Sequence, residues 1–522
     1  MRCKGSHIHR REFMFQSGTM LQYMTTRRVL LVATVQLTTL LFGMTITVVA
    51  VVMPQIQGAL SATQDQVAWT ITFNLVATAI ATPITGALAA RLGWRNLLLG
   101  SVGGFTISTA LCGLSTSLEM LVMFRVLQGV FGAPLLPLGQ GMLMASFPKH
   151  MHALVLTLWG IGGVFGPVLG PIFGGFVAEA IDWRWAFFMI VPFGVLGMLG
   201  AWISLDGKER DEGRRVDWLG YLLLAIAIGA ATLILNRGQR LDWFDSTEII
   251  VEASVCAIAF YLYLVHSVTA ANPLFQRELF RDRNFVIGLA MSLLMGMFGY
   301  TPMVMFPPLL SDVAGYPESI IGTLLTSRGI GNWLSFLLVV QFTRVSARGC
   351  LIFGLVCQAI ASGAMAQLDV NVTEFDVYWT NVLHGFGFGI AYTPMSVLAF
   401  TTLRPHLMVD GSSLFNVMRH FGSVLFISVA IVVLTRSAAQ SYSGLREWIS
   451  PFNMLFTMPG VSGDWSHGTL GGLSKLSGEI LRQASMIGYI NAFYLLAATA
   501  ALGVPLALAF RPVVKPTPDD DA

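Results

Sequence analysis

The sequence predicts an all-α membrane protein with fourteen spans. Of its 522 residues, 55% are hydrophobic and only 11% charged, and the mean hydropathy is +0.69, too apolar for a water-soluble chain of this size. Apolar runs of roughly 20 residues, the length that crosses a bilayer core of about 30 Å, are centred near residues 42, 78, 105, 131, 165, 195, 227, 257, 297, 331, 359, 389, 423 and 498. An even number places both termini on one side. Of the 31 Lys and Arg, 21 fall in the two tails and the loops on that side and 7 in the loops opposite, with Arg125, Arg328 and Arg419 inside spans. Positive loops stay cytoplasmic, so both termini are expected there. The net charge of +3 follows from this bias and implies no nucleic-acid partner.

In chain order, residues 1–28 are basic and lack an apolar core and cleavage site, so they read as a cytoplasmic tail rather than a signal peptide. Residues 29–205 hold six spans. Within them Arg125 sits in hydrocarbon, a costly placement that marks a functional residue. The fifth span contains GIGGVFGPVLGPIFGG, Gly160 to Gly175. Gly162, Gly166, Gly170 and Gly174 recur every four residues and form one smooth stripe, on which another helix can approach closely without a hydrophobic driving force. Gly163, Pro167, Pro171 and Gly175 run beside it, and each proline removes a backbone bond and bends the helix. The charged run 206–217, DGKERDEGRRVD, is a connector; 218–268 form a two-helix hairpin around LNRGQRLDWFDS. Residues 269–510 hold the last six spans, including a long outer loop, 437–486, with an apolar patch at Trp448, Phe452, Met454, Leu455 and Phe456; 511–522 form a second cytoplasmic tail. The five cysteines, Cys3, Cys112, Cys256, Cys350 and Cys357, form no metal or redox spacing, and no cofactor is expected.

Several segments, in order and on the expected sides, resemble those of the major facilitator superfamily, specifically the fourteen-span drug:proton antiporters of EmrB/QacA type. The glycine–proline stripe resembles the antiporter motif of the fifth span. TITVVAVVMPQI, Thr45 to Ile56, resembles the first-span signature, with Thr45 where that family usually carries an Asp and Ala50 where it carries Asn. TGALAARLGWR resembles the cytoplasmic gating loop: Gly86, Arg91, Gly93 and Arg95 occupy its slots, and Ala90 stands in the place of its acid. LVMFRVLQGVFGAP resembles the fourth-span motif with its intramembrane arginine. DWRWAFFMIVPFG, TSRGIGNW, HGFGFGIAYTPM and SLFNVMRHFGS match later segments, the first with Ile190 in an Asn slot and the second with Ser327 in a Pro slot. The resemblance implies a 6 + 2 + 6 bundle in a bacterial inner membrane, among membrane lipids, exporting small amphiphiles against protons. A periplasmic membrane-fusion adaptor and an outer-membrane channel are implied as partners. A transporter dedicated to one metabolite, such as a siderophore or aromatic acid, is the second reading.

The superfamily architecture implies a cavity near mid-membrane between two rocking halves. Its expected polar lining is Gln36, Thr45, Asn74, Arg125, Gln128, Gln140, Tyr300, Arg328, Asn332, Asn381, Tyr392, Asn416 and Arg419, with His384 and His420 as candidates for proton coupling because histidine titrates near neutral pH. Among the acids only Glu252 falls clearly within an apolar run, near the outer end of the extra hairpin. The core bundle is therefore expected to hold three arginines, two histidines and no carboxylate, giving a positive cavity that favours weakly acidic or neutral aromatic substrates. No HExxH, GxSxG, phosphate loop or paired acids support an enzyme, and no pore loop or charged ring supports a channel.

Overall fold

The computed structural model describes residues 25–205, 216–449, 453 and 469–511. Its first half begins with α1 (Thr26–Leu60), α2 (Gln64–Ala81) and α3 (Thr85–Leu92), continues through α4 (Trp94–Gly113), α5 (Leu118–Gly132) and α6 (Leu135–Ser146), and ends with α7 (His152–Ala180), α8 (Trp185–Phe188) and α9 (Val191–Ser204). The hairpin is α10 (Trp218–Arg237) and α11 (Thr247–Thr269). The second half comprises α12 (Glu278–Arg281), α13 (Arg283–Pro308), α14 (Glu318–Met365), α15 (Glu374–Phe400), α16 (Met408–Glu447) and α17 (Leu470–Leu508). Thirteen segments of the described chain are long and apolar enough to cross a membrane. The 29-residue, strongly apolar α7 is long enough to supply a fourteenth.

Local chemistry sets the helix ends. Thr25, Ser117, Asp217, Asp282 and Thr469 each cap a helix by accepting a hydrogen bond from an amide in the first turn. Thr63 with Gln66 and Thr373 with Asp376 form complete capping boxes. Prolines place the breaks. Pro83 lies in the 3-10 turn between α2 and α3, and Pro302, Pro307 and Pro308 lead α13 into a π-turn at Leu309–Val313. α14 covers two spans and is interrupted by Ser346, at φ −157° and ψ 100°.

The described chain begins and ends at one end of the bundle: Arg27 Nε donates to Ser204 O at 2.9 Å, the Arg28 guanidinium lies 5.6 Å from the Phe147 ring, and Asn284 Nδ2 bonds Arg511 O at 3.3 Å. Packing between the halves concentrates at this terminus end, through α16 against α3 and α6 and through α7 against α14 and α15. The bundle is thus shut on the terminus side. The hairpin packs outside, on α2 and α16, where the Gly229 backbone meets Ile80.

Two expectations need correction. Residues 437–447 and 470–486 are not loop: α16 and α17 run on through them as an antiparallel pair joined by Tyr442 Oη and Ser477 Oγ at 3.1 Å. Gly and Ser made this stretch look irregular, but tertiary pairing outweighs their weak helix propensity. Forty residues of α16 extend about 60 Å at roughly 1.5 Å each, twice the bilayer core, so the pair projects from the membrane on the far side. Arg482 fixes its base, donating to Val313 O at 2.6 Å and Val370 O at 2.9 Å. Of the expected apolar patch, Trp448 is described and is 76% exposed; Phe452, Met454, Leu455 and Phe456 lie outside the described residues. The second correction concerns charge. Asp410 is 2% exposed at the seam between the halves, because α16 begins at Met408, several residues before the apolar run suggests.

Candidate substrate cavity

The stripe on α7 has two faces with different tasks. Gly162, Gly166, Gly170 and Gly174 pack on α1 at backbone distance: a Cβ on Gly166 would lie 2.5 Å from Leu40 O, and one on Gly170 would lie 2.7 Å from Met44 O. Gln36 staples the same seam, its Nε2 donating to Leu158 O and its Oε1 accepting from Gly162 N. The adjacent row, Trp159, Gly163 and Pro167, lines a cavity between the halves. Gly175 lies further along α7, against Val51, and Pro171 occupies the helix between them.

Opposite α7, the cavity wall comes from the second half: Tyr300 of α13, Arg328 and Asn332 of α14, Phe388 and Tyr392 of α15, and Arg419 of α16. Thr39, Phe42 and Leu136 complete the first-half wall. Among the described residues, no Asp or Glu lines this cavity. Arg328 Nη2 donates to Phe298 O while its Nη1 is buried without a partner, and its guanidinium lies 5.8 Å from the Phe388 ring centre. Arg419 Nη2 donates to Asn416 Oδ1 at 3.1 Å, leaving Nε buried and unpaired. Asn332 Oδ1, Tyr392 Oη and Trp159 Nε1 are also unpaired. An occupant with a flat apolar body and acceptor oxygens fits this lining, since each unpaired buried donor costs about 1–3 kcal/mol until satisfied.

Of the residues the sequence nominates for the cavity, Tyr300, Arg328, Asn332, Tyr392 and Arg419 line it. The others do not in this conformation. Arg125 is an internal staple of the first half: Nε donates to Thr70 O and Nη1 to Thr45 O, both at 3.3 Å, and Nη1 to Gln128 Oε1 at 2.5 Å. Gln128 Nε2 passes the chain to Thr109 Oγ1 at 2.6 Å, and Asn74 Nδ2 donates to Arg125 O at 2.8 Å. A buried arginine is thus satisfied largely by carbonyls, with no ion pair among the described residues. Thr45 Oγ1 bonds Leu41 O in its own helix, and Asn381 Nδ2 bonds Val377 O. His384 is fully buried, with both ring nitrogens unpartnered, and lies off the cavity. His420 stands behind Arg419, its Nε2 3.5 Å from Nη2.

Below the cavity the halves are laced together. Gln140 Oε1 accepts from Ser412 Oγ at 2.9 Å and from Asn416 Nδ2 at 2.8 Å, and Ser413 Oγ donates to Thr82 O at 2.7 Å. Gly86 of the gating loop meets Asp410: a Cβ there would lie 2.0 Å from Oδ1. Gly93 has φ +82° and ψ 154°, a conformation that disfavours side chains, and turns the chain from α3 into α4. Arg95 stacks over Trp202 at 4.5 Å and Arg91 is exposed. Asp410, Ser412 and Trp159 are the residues the sequence reading missed. Trp159 was readable, being four residues before Gly163 and eight before Pro167, hence on one helical face.

The Major Facilitator Superfamily profile matches residues 36–427. The multidrug export protein EmrB of Escherichia coli (strain K12) is 33% identical over 410 residues, covering 78% of this chain and 80% of that protein. The fatty acid resistance protein FarB of Neisseria gonorrhoeae is 30% identical over 409 residues, covering 78% and 81%. Among solved structures, a double-Trp variant of XylE superposes with a TM-score of 0.64 at 13% identity, covering 94% of this chain and 98% of that one. The human organic anion transporter MFSD10 gives 0.59 at 11%, covering 92% and 99%; both speak to the fold alone. A helical bundle of two halves around a central cavity, with this sequence match across its core, identifies the chain as a member of the Major Facilitator Superfamily.

Proposed function

We propose that this chain is a multidrug exporter of a bacterial inner membrane, with cytoplasmic termini, moving weakly acidic or neutral aromatic amphiphiles outward at the expense of the proton gradient by alternating access. One observation carries the substrate class: the cavity wall presents two arginines with unpaired donors among aromatic rings, and no described carboxylate. A cation there would be repelled, whereas an acceptor group gains charge-assisted bonds. The names of two relatives, multidrug export protein for EmrB and fatty acid resistance protein for FarB, agree with amphiphile export. With termini cytoplasmic, the conformation seen is shut inward, the state that releases substrate outward. His384 and His420 are the proposed proton carriers, and the projecting α16–α17 pair, with Trp448 at its tip, is the proposed seat of a membrane-fusion adaptor leading to an outer-membrane channel. The test is a deletion strain challenged with unrelated amphiphiles. Sensitization to several classes, acids and neutral aromatics foremost, is expected; sensitization to one compound class would instead indicate a transporter for a single metabolite.

A further inference from the structure

Where the halves meet beneath the cavity, an aromatic stack crosses from one to the other. Trp159 of α7 lies on Tyr392 of α15, with ring centres 6.1 Å apart and planes 21° apart; Tyr392 lies on Phe388 at 5.7 Å and 21°, and the Arg328 guanidinium closes the column 5.8 Å from the Phe388 centre. All four line the cavity. Three members belong to the second half and move together. The Trp159–Tyr392 contact is the joint between halves, and it lies on the side that must part when the transporter opens toward its termini. Trp159 is only 4% exposed, and its Nε1 has no partner, so no hydrogen bond ties it to this position.

We propose that Trp159 is a specificity-determining residue whose ring is shared in turn between substrate and Tyr392: with the terminus side open it stacks on a planar aromatic substrate, and on closure it restacks on Tyr392 and displaces the substrate toward the far side. This rests on the export reading given above and deepens it. Flat rings compete for this surface because they offer the same offset stacking that Tyr392 offers. An aliphatic chain of equal charge does not, although both would meet the same arginines. The stack therefore separates planar from flexible acids at a site where charge alone cannot.

The test is binding to the purified full chain in nanodiscs, with no proton gradient, using anthracene carboxylate and decanoate as probes. Trp159→Leu should weaken anthracene carboxylate roughly two- to tenfold, the range to which an aromatic pair of about 0.5–1.5 kcal/mol converts, and leave decanoate within about twofold. Trp159→Phe should restore most of the loss. Unchanged decanoate binding shows that the variant is folded. A second arm replaces Gln140 and Ser412, whose side chains meet at 2.9 Å, by cysteine in a background lacking the native five and bridges them with a short bis-maleimide. With the terminus side held shut, the difference between wild type and Trp159→Leu should vanish. Equal losses for both acids, no loss for either, a wild type that binds neither, or a difference that persists in the bridged protein overturns the proposal. If the wild type binds both acids but pumps neither in vesicles, the export reading fails while the binding comparison still decides the stacking.

Discussion

At the residue scale, the arginines divide by what satisfies them. Arg125 is met by carbonyls and Gln128 and holds the first half together, while Arg328 and Arg419 keep unpaired donors at the cavity. Substituting the latter pair should therefore change selectivity more than stability. Arg328→Gln or Arg419→Gln is expected to lower kcat/KM for a weakly acidic substrate about tenfold or more, as a hydrogen bond to a charged group is worth about 1.5–3 kcal/mol, and to leave a matched cationic dye unchanged or faster. Equal losses for both dyes would remove the charge account. The three intramembrane arginines were legible in the sequence because charge in an apolar run stands out, but their separation into staple and site was not, since it depends on which carbonyls the fold brings within 3.3 Å.

At the element scale, α7 shows how much a sequence pattern specifies. Its four-residue glycine period announced close packing, while the partner, α1, and the cavity-facing assignment of the adjacent row come from the fold. Two substitutions one turn apart separate the faces. Gly166→Ala places a methyl 2.5 Å from Leu40 O, whereas Gly163→Ala meets nothing nearer than Thr39 Cγ2 at 3.7 Å. Overpacking of the first kind costs roughly 1–3 kcal/mol, so Gly166→Ala should lower the Tm of the purified protein and Gly163→Ala should not. A reversed order would place the stripe wrongly. The projecting α16–α17 pair was missed because the Gly and Ser residues of 437–447 and 470–486 obscure a helical spacing that Leu470, Leu473, Leu476 and Ile480 do carry. If its tip seats an adaptor, Trp448→Ser, with Trp448 76% exposed, should reduce co-purification of the adaptor while the transporter still inserts; undiminished co-purification would assign the tip no such role.

At the scale of the whole molecule, hydropathy announced the span number, because a bilayer allows few alternatives to apolar helices. The conformational state was beyond reach, since one sequence must encode both closed and open seams. Here the seam at the terminus end is shut by Gln140, Ser412, Asn416 and the Gly86–Asp410 contact. Asp410 escaped notice because it precedes the apolar run. Cysteines placed at Ser443 and Lys208 should label from opposite sides of the membrane, and labelling of both from one side would refute the topology. The central claim, a proton-driven exporter selective for acidic or neutral aromatics, is tested most directly by transport in proteoliposomes of a matched anionic and cationic dye pair, with pH gradient and potential set independently, for the wild type, His384→Asn, His420→Asn and the double variant. The account predicts faster transport of the anion, driven by the pH gradient and uncoupled in the double variant; preferred transport of the cation, with all three variants fully proton-coupled, would contradict it.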